Sequence, residues 1–174
     1  MRLFFAIWPD DAVKERLDEL ARRLHRACGG RRLMRESIHI TLIFLGEVDH
    51  VEDLLEAASS VSGRAFEIRI DKTVYWKHNR IAWAGTSSVP ENLGMLVDEL
   101  KKALKREGLS YDERGDYVPH VTLVRKAMMP ADMPEFEPFS WSVSEFCLVE
   151  SADSGYRIIG KWPLEIDAAG EMPG

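Results

Sequence analysis

The sequence predicts an α+β protein folded as two related lobes of one domain, and three observations carry that prediction. Shifting the chain by 81 residues lays His39-Ile40-Thr41-Leu42-Ile43 over His120-Val121-Thr122-Leu123-Val124, each difference being Ile for Val. The same offset sets Asp11 against Asn92 and Arg2 against Trp83, so strand, helix and His-bearing strand recur in order. No Gly/Ser-rich linker separates the halves of this 174-residue chain, which argues for lobes sharing a core rather than independent modules. An internal duplication explains all three.

Residues 2–8 (RLFFAIW) read as a buried strand. After Pro9-Asp10-Asp11, residues Val13, Leu17, Leu20 and Leu24 share one helical face, which Gly29-Gly30 closes. The basic run Arg31-Arg32-Leu33-Met34-Arg35 leads into Ile38 to Leu45 (IHITLIFL), β-branched and aliphatic enough for a strand that stops at Gly46. A short helix is predicted from Val51 to Val61, with Leu54, Leu55 and Ala58 on its apolar face and Asp49 and Glu52 spaced as a capping box. Phe66 to Trp76 alternates in part, and Arg80 to Gly85 follows the turn-like Lys77-His78-Asn79, which predicts a hairpin.

In the second half, Ser88-Val89-Pro90-Glu91 has the spacing of a capping box with an early proline. It opens a helix through Leu93, Leu96, Val97, Leu100 and Leu104 to Gly108. A polar loop, the second His strand at Val118 to Val124, a proline-bearing stretch from Pro130 to Pro138 and strands near 141–150 and 156–162 complete the order. Residues 1–166 are expected to form a single bilobal domain and residues 167–174 a loose tail.

The formal net charge of −6 argues against a protein that coats duplex nucleic acid, because such binding rests on many phosphate contacts. Any nucleic-acid contact is therefore expected to be small and local. The only cysteines, Cys28 and Cys147, form no metal-binding spacing and are too few for a disulfide-dense secreted scaffold, so a reducing, cytoplasmic setting is expected. The apolar start from Leu3 to Trp8 is too short for a signal-peptide core or a membrane span.

On a strand, residues two apart point to one face. His39 with Thr41, and His120 with Thr122, therefore project together while Ile40, Leu42, Val121 and Leu123 pack behind. A pseudo-two-fold brings both His-Thr pairs to one groove. Two imidazoles and two hydroxyls suit displacement at phosphorus, which needs a base, an acid and donors to the non-bridging oxygens. An unperturbed imidazole titrates near ~6.5, so one copy can be neutral while the other is protonated. Positioned proton transfers of this kind dispense with a metal, and neither metal nor cofactor is expected.

The opening RLFFAI, the run IHITLIFLGEV at 38–48 and PHVTLVRK at 119–126 resemble the 2H phosphoesterase superfamily, specifically its RNA 2′,3′-cyclic phosphodiesterase branch, often labelled 2′-5′ RNA ligase. The resemblance covers nearly the whole chain. It implies antiparallel-rich sheets forming a central groove with helices outside, and hydrolysis of a 2′,3′-cyclic phosphate end of RNA or an oligonucleotide to a 2′-phosphate. In some members it also implies reversible 2′-5′ joining. Carried over, it makes His39 and His120 the acid-base pair and Thr41 and Thr122 the phosphate-holding hydroxyls. It favours His39 as acid to the leaving 3′ oxygen and His120 as base for water, with the reverse assignment open. Arg125 occupies the family's arginine position after the second motif, where a guanidinium clamps phosphate. On a regular strand its parity points it away from the site, so it contributes only if the strand ends or bulges near Val124. The matching residue in the first half is Phe44.

Other readings stand beside these. A binding module for nucleotides or RNA ends would present the same His-Thr faces without turnover, and another cyclic or 2′-5′ phosphodiester would suit the same chemistry. Zinc held by His39 and His120 lacks a third ligand at fixed spacing. Phe44 and Tyr117 are candidates to stack on a nucleobase, as are Trp8 and Trp83, although strand aromatics more often fill cores. Arg31, Arg32 and Arg35 suit either an RNA-backbone contact or a solvated loop. His25, His50 and His78 have no counterpart in the other half and read as surface residues. A monomer without membrane attachment is expected.

Overall fold

The computed structural model describes residues 1–166; the expected tail at 167–174 lies outside the described residues. The chain runs β1 (Arg2–Ile7), α1 (Asp11–Cys28), β2 (Arg31–Arg32), a 3-10 turn (Arg35–Ser37), β3 (Ile40–Glu47), α2 (Val51–Ser59), β4 (Phe66–Ile70), β5 (Lys72–Trp76) and β6 (Ile81–Gly85). It continues through α3 (Glu91–Arg106), β7 (His120–Arg125), β8 (Phe139–Val143), β9 (Glu145–Ala152) and β10 (Gly155–Pro163). Among the described residues no helix is long and apolar enough to cross a membrane.

Eight strands make one open sheet in the order β10-β9-β1-β3-β7-β6-β5, with β2 added to β7, and their pairings are antiparallel. The two lobes thus share one sheet, with β4 and β8 forming a separate ribbon. Reading outward from the β3–β7 contact, β3 matches β7, β1 matches β6 and β9 matches β5, and α1 and α3 follow β1 and β6 in the chain. Ala6 lies opposite Thr41 and Trp83 opposite Thr122, so Ala6, not Arg2, is the counterpart of Trp83. Loops of unequal length offset the two strands, which a single shift of the sequence hides.

Asp10 caps α1 by accepting from the Val13 amide at 2.9 Å, and Gly29 ends it with φ at 65°, where a side chain is strained. The two expected capping boxes are absent. His50 precedes α2 and Pro90 precedes α3, neither with a side-chain cap, and the Thr86 hydroxyl accepts instead from the Ser88 amide. Apolar faces of α1, α2 and α3 pack with Leu3, Phe5, Ile40, Val121 and Leu148 in one core. The opposite sheet face carries a smaller cluster of Phe4, Ala6, Cys147 and Val149, with Trp8 and Tyr156 packed on it. The segment Phe66 to Trp76 breaks at Asp71 into β4 and β5, and β5 forms the expected hairpin with β6.

Candidate active site

β3 and β7 pair at Ile40 and Val121, and both residues point into the core. Continuing that register by one residue sets His39 across from Thr122 and Thr41 across from His120, all on the other face. The four side chains occupy a patch about one strand spacing by one pleat repeat, roughly 5 by 7 Å. A cleft of about 860 Å³ opens over them, and its lining includes His39, Thr41, His120, Thr122 and Arg125. Ser151, Asp153 and Tyr156 from the β9–β10 hairpin and Trp76, His78 and Asn79 from the β5–β6 hairpin also line it.

Each imidazole is anchored two residues back. The His39 Nδ1–H donates to the Ser37 carbonyl at 2.7 Å, and the His120 Nδ1–H donates to the Val118 carbonyl at 2.8 Å. Because a carbonyl only accepts, both anchors put the proton on Nδ1 and leave Nε2 for other partners. The His39 Nε2 accepts from the Thr41 hydroxyl at 3.1 Å. Rings hold the imidazoles in place. Trp8 stacks on His39 at 4.6 Å and 6°, with Phe4 and Tyr156 at 5.0 and 5.2 Å, while Trp76 and Trp83 meet His120 at 4.8 and 5.8 Å. Trp8 and Trp83 thus pack on the histidines, and Trp83 is buried.

Burial of His39 disfavours its charged form; the Ser37 carbonyl opposes this, Arg125 and His120 add to it, and the pKa falls to about 4. His120 is also lowered, first by burial, against the Val118 carbonyl, and further by Arg125. The field of Arg125 thus reaches both imidazoles.

The strand parity of Arg125 is reset by a β-bulge. Ala82 pairs with Val124 while its neighbour Trp83 pairs with Thr122, which leaves Leu123 as an extra residue on β7. Leu123 and Val124 are consequently both buried, and Arg125 turns to the cleft. The first lobe repeats the device: Phe5 pairs with Ile43 and Ala6 with Thr41, leaving Leu42 extra and turning Phe44 to the same cleft. Tyr117 stands elsewhere. Its hydroxyl donates to the Thr41 carbonyl at 3.1 Å and its ring packs against the core, with the pKa raised by burial. Support of β3, rather than an open stacking face, is what this geometry gives Tyr117.

His78 is exposed, as its reading as a surface residue expects, and it also lines the cleft, 5.7 Å from Trp76. The basic run before β3 is engaged with α1: Arg32 bonds buried Asp18 at 2.9 Å and Arg35 bonds Glu15 at 3.2 Å. Sequence reasoning missed Arg2 and Phe4 as cleft residues, although the alternation Arg2, Phe4, Ala6 on a strand beside β3 contains the signal. Tyr156, Asp112 and Arg114 reach the cleft from distant segments that no local pattern marks. Among the described residues no group of three His, Cys, Asp or Glu side chains is arranged to hold a metal ion.

A family model described as LigT like Phosphoesterase matches residues 7–83. The RNA 2′,3′-cyclic phosphodiesterase of Escherichia coli (strain K12) is 30% identical over 173 residues, covering 94% of this chain and 96% of that protein. The protein of the same name from Thermotoga maritima is 30% identical over 166 residues, covering 87% of each. Crystalline E. coli LigT complexed with 3′-AMP superimposes with a TM-score of 0.83 at 28% identity, covering 94% of this chain and 97% of that one.

Proposed function

The chain belongs to the LigT-like phosphoesterase family and is an enzyme, and on that premise we propose that it hydrolyses 2′,3′-cyclic phosphate ends of RNA to 2′-phosphates without a metal. The observation that carries the reading is the paired anchoring of His39 on Ser37 and His120 on Val118 through Nδ1, which turns both Nε2 atoms to one cleft, that of His39 onto the Thr41 hydroxyl. One neutral imidazole takes a proton from water as the water oxygen attacks phosphorus. The bond from phosphorus to the 3′ oxygen breaks, and the other imidazole, protonated, gives that oxygen its proton. Thr41, Thr122 and Arg125 hold the non-bridging oxygens. A 5′-hydroxyl in place of water gives 2′-5′ joining by the same proton transfers.

The proton affinities of the free protein bear on direction. Burial holds both imidazoles below their ordinary value, His39 at about 4, so His39 serves as acid to the 3′ oxygen, as the resemblance favours, only once a bound phosphate anion has raised it. Cys28 and Cys147, both buried and unpaired, suit the reducing, cytoplasmic setting we propose.

The test is incubation of purified protein, in EDTA, with an RNA oligonucleotide ending in a 2′,3′-cyclic phosphate, resolving 2′- and 3′-phosphate products. The expected result is a 2′-phosphate, with His39→Ala and His120→Ala each losing ~10²-fold or more and the double variant little worse than either. Activity abolished by EDTA would overturn the metal-free mechanism.

A further inference from the structure

We propose that the cleft contains a second anion subsite in which Arg2 takes the internucleotide phosphate of an RNA end, with Phe44 presenting its ring to the terminal nucleoside between the two phosphates. The inference rests on the reading of the cleft as an RNA-end site, and it names the part of the substrate that extends beyond the cyclic phosphate.

The bulges make the two lobes unlike where it matters. At the matching positions lobe two offers a guanidinium, Arg125, and lobe one an aromatic ring, Phe44. Phosphate at the histidines is thus clamped from the second lobe, and the first lobe is left to receive the nucleoside. Phe44 is 48% exposed, high for a large apolar side chain on an inner strand, and its ring is backed by Phe4 at 5.7 Å. Sequence-tolerant stacking on such a face is how single-stranded nucleic acids are held.

Arg2 stands further along the same face. On β1, Ala6 is opposite Thr41, Phe4 opposite Phe44 and Arg2 opposite Glu47. Four residues of strand put Arg2 roughly 13 Å from the level of Thr41, with Phe44 in between. A separate phosphate is therefore the partner that fits it. Beyond Phe44 the cleft continues into a recess of about 460 Å³ lined by Arg2, Phe44, Leu45, Gly46, Asp112 and Arg114.

The charges around Arg2 leave it available. The facing carboxylate, Glu47, pairs with the Met1 ammonium at 3.4 Å, and Asp112 is held by both prongs of Arg114 at 3.0 and 2.9 Å. The Arg2 side chain makes no hydrogen bond or ion pair among the described residues, its backbone alone being paired within the sheet. Asp153 is the other carboxylate lining the main cleft. In a chain of net charge −6, Arg2, Arg114 and Arg125 give this cleft a local excess of positive charge.

The experiment compares kcat/KM for adenosine 2′,3′-cyclic phosphate, for the dinucleotide ApA ending in the same cyclic phosphate, and for that dinucleotide with a neutral methylphosphonate linkage. The intact protein is expected to favour the charged dinucleotide by about tenfold or more, the range of a charge-assisted hydrogen bond. Arg2→Gln should shrink that ratio towards the methylphosphonate value, and Arg2→Lys should restore part of it. An undiminished ratio in Arg2→Gln, or a methylphosphonate dinucleotide that keeps the full advantage, would overturn the subsite. Turnover of none of the three by intact protein would instead remove the RNA-end reading on which it stands.

Discussion

Because burial, opposed by the Ser37 carbonyl and reinforced by Arg125 and His120, holds His39 at about 4, and a similar balance lowers His120, both imidazoles of the free protein are mostly neutral at pH 7. The proposed mechanism needs one of the pair protonated, and the product of the two required fractions peaks midway between their pKa values. Both values lie below the ordinary 6.5, so kcat/KM for a cyclic-phosphate RNA end is expected to peak below pH 6.5. Removing the positive charge in Arg125→Gln is expected to raise both imidazoles and move the peak to higher pH, while loss of the proposed phosphate clamp lowers its height. A peak that stays in place in Arg125→Gln would show that its field does not reach the pair. His39, Thr41, His120 and Thr122 were legible in the sequence because the same spacing occurs twice. The rings around the histidines were not: Tyr156 reaches His39 through β-pairing across more than half the chain, and such pairing leaves no local mark.

At the level of elements, the period-2 rule correctly put the His-Thr pairs on one face and failed three residues later, because an extra residue at Leu42 and at Leu123 shifts the alternation. Two adjacent buried residues, Ile43 after Leu42 and Val124 after Leu123, are the trace a bulge leaves, yet in sequence they look like an ordinary apolar run. What secures the strand after the second bulge is β2, whose Arg31 and Arg32 pair with Arg125 and Val124. Gly30 makes that approach possible. A β-carbon there would collide with the Arg125 carbonyl oxygen and lie 2.8 Å from the Lys126 carbonyl oxygen, whereas one at Gly29 meets nothing within 4 Å. Both glycines have positive φ, so each alanine carries backbone strain of about 1 kcal/mol. Gly30→Ala is expected to cost more, about 1–3 kcal/mol further, and to weaken inorganic phosphate binding by displacing Arg125, while Gly29→Ala loses stability alone. Urea unfolding with a phosphate titration of both variants checks this; equal losses and equal affinities would count against β2 as the brace of the site.

The whole molecule has a pseudo-two-fold whose halves are bound together at more than the Ile40–Val121 pair. β2 from the first half completes β7 of the second, α1 packs on β7, and the Asp112 amide and Tyr117 hydroxyl both donate to β3 carbonyls. The duplication made two lobes legible, but not that the last two strands of the chain return to flank β1, because the repeated segment contains neither of them. That return extends the sheet beyond β1, the β3–β7 pair joins the two halves, and the main core draws on both lobes. We propose that residues 1–166 fold as one unit for this reason: the apolar faces of β1 and β6 bury into a shared interior, so neither lobe can open without exposing part of the other's core. Native-state hydrogen exchange reads this directly. The slowest amides of β1 and of β6 are expected to exchange with the same opening free energy, matching global unfolding, and calorimetric and van't Hoff enthalpies should agree. A lower opening free energy for β6 than for β1 would make the second lobe a separate unit, and the cleft, built from His39 on one side and His120 on the other, would then come apart before the protein unfolds.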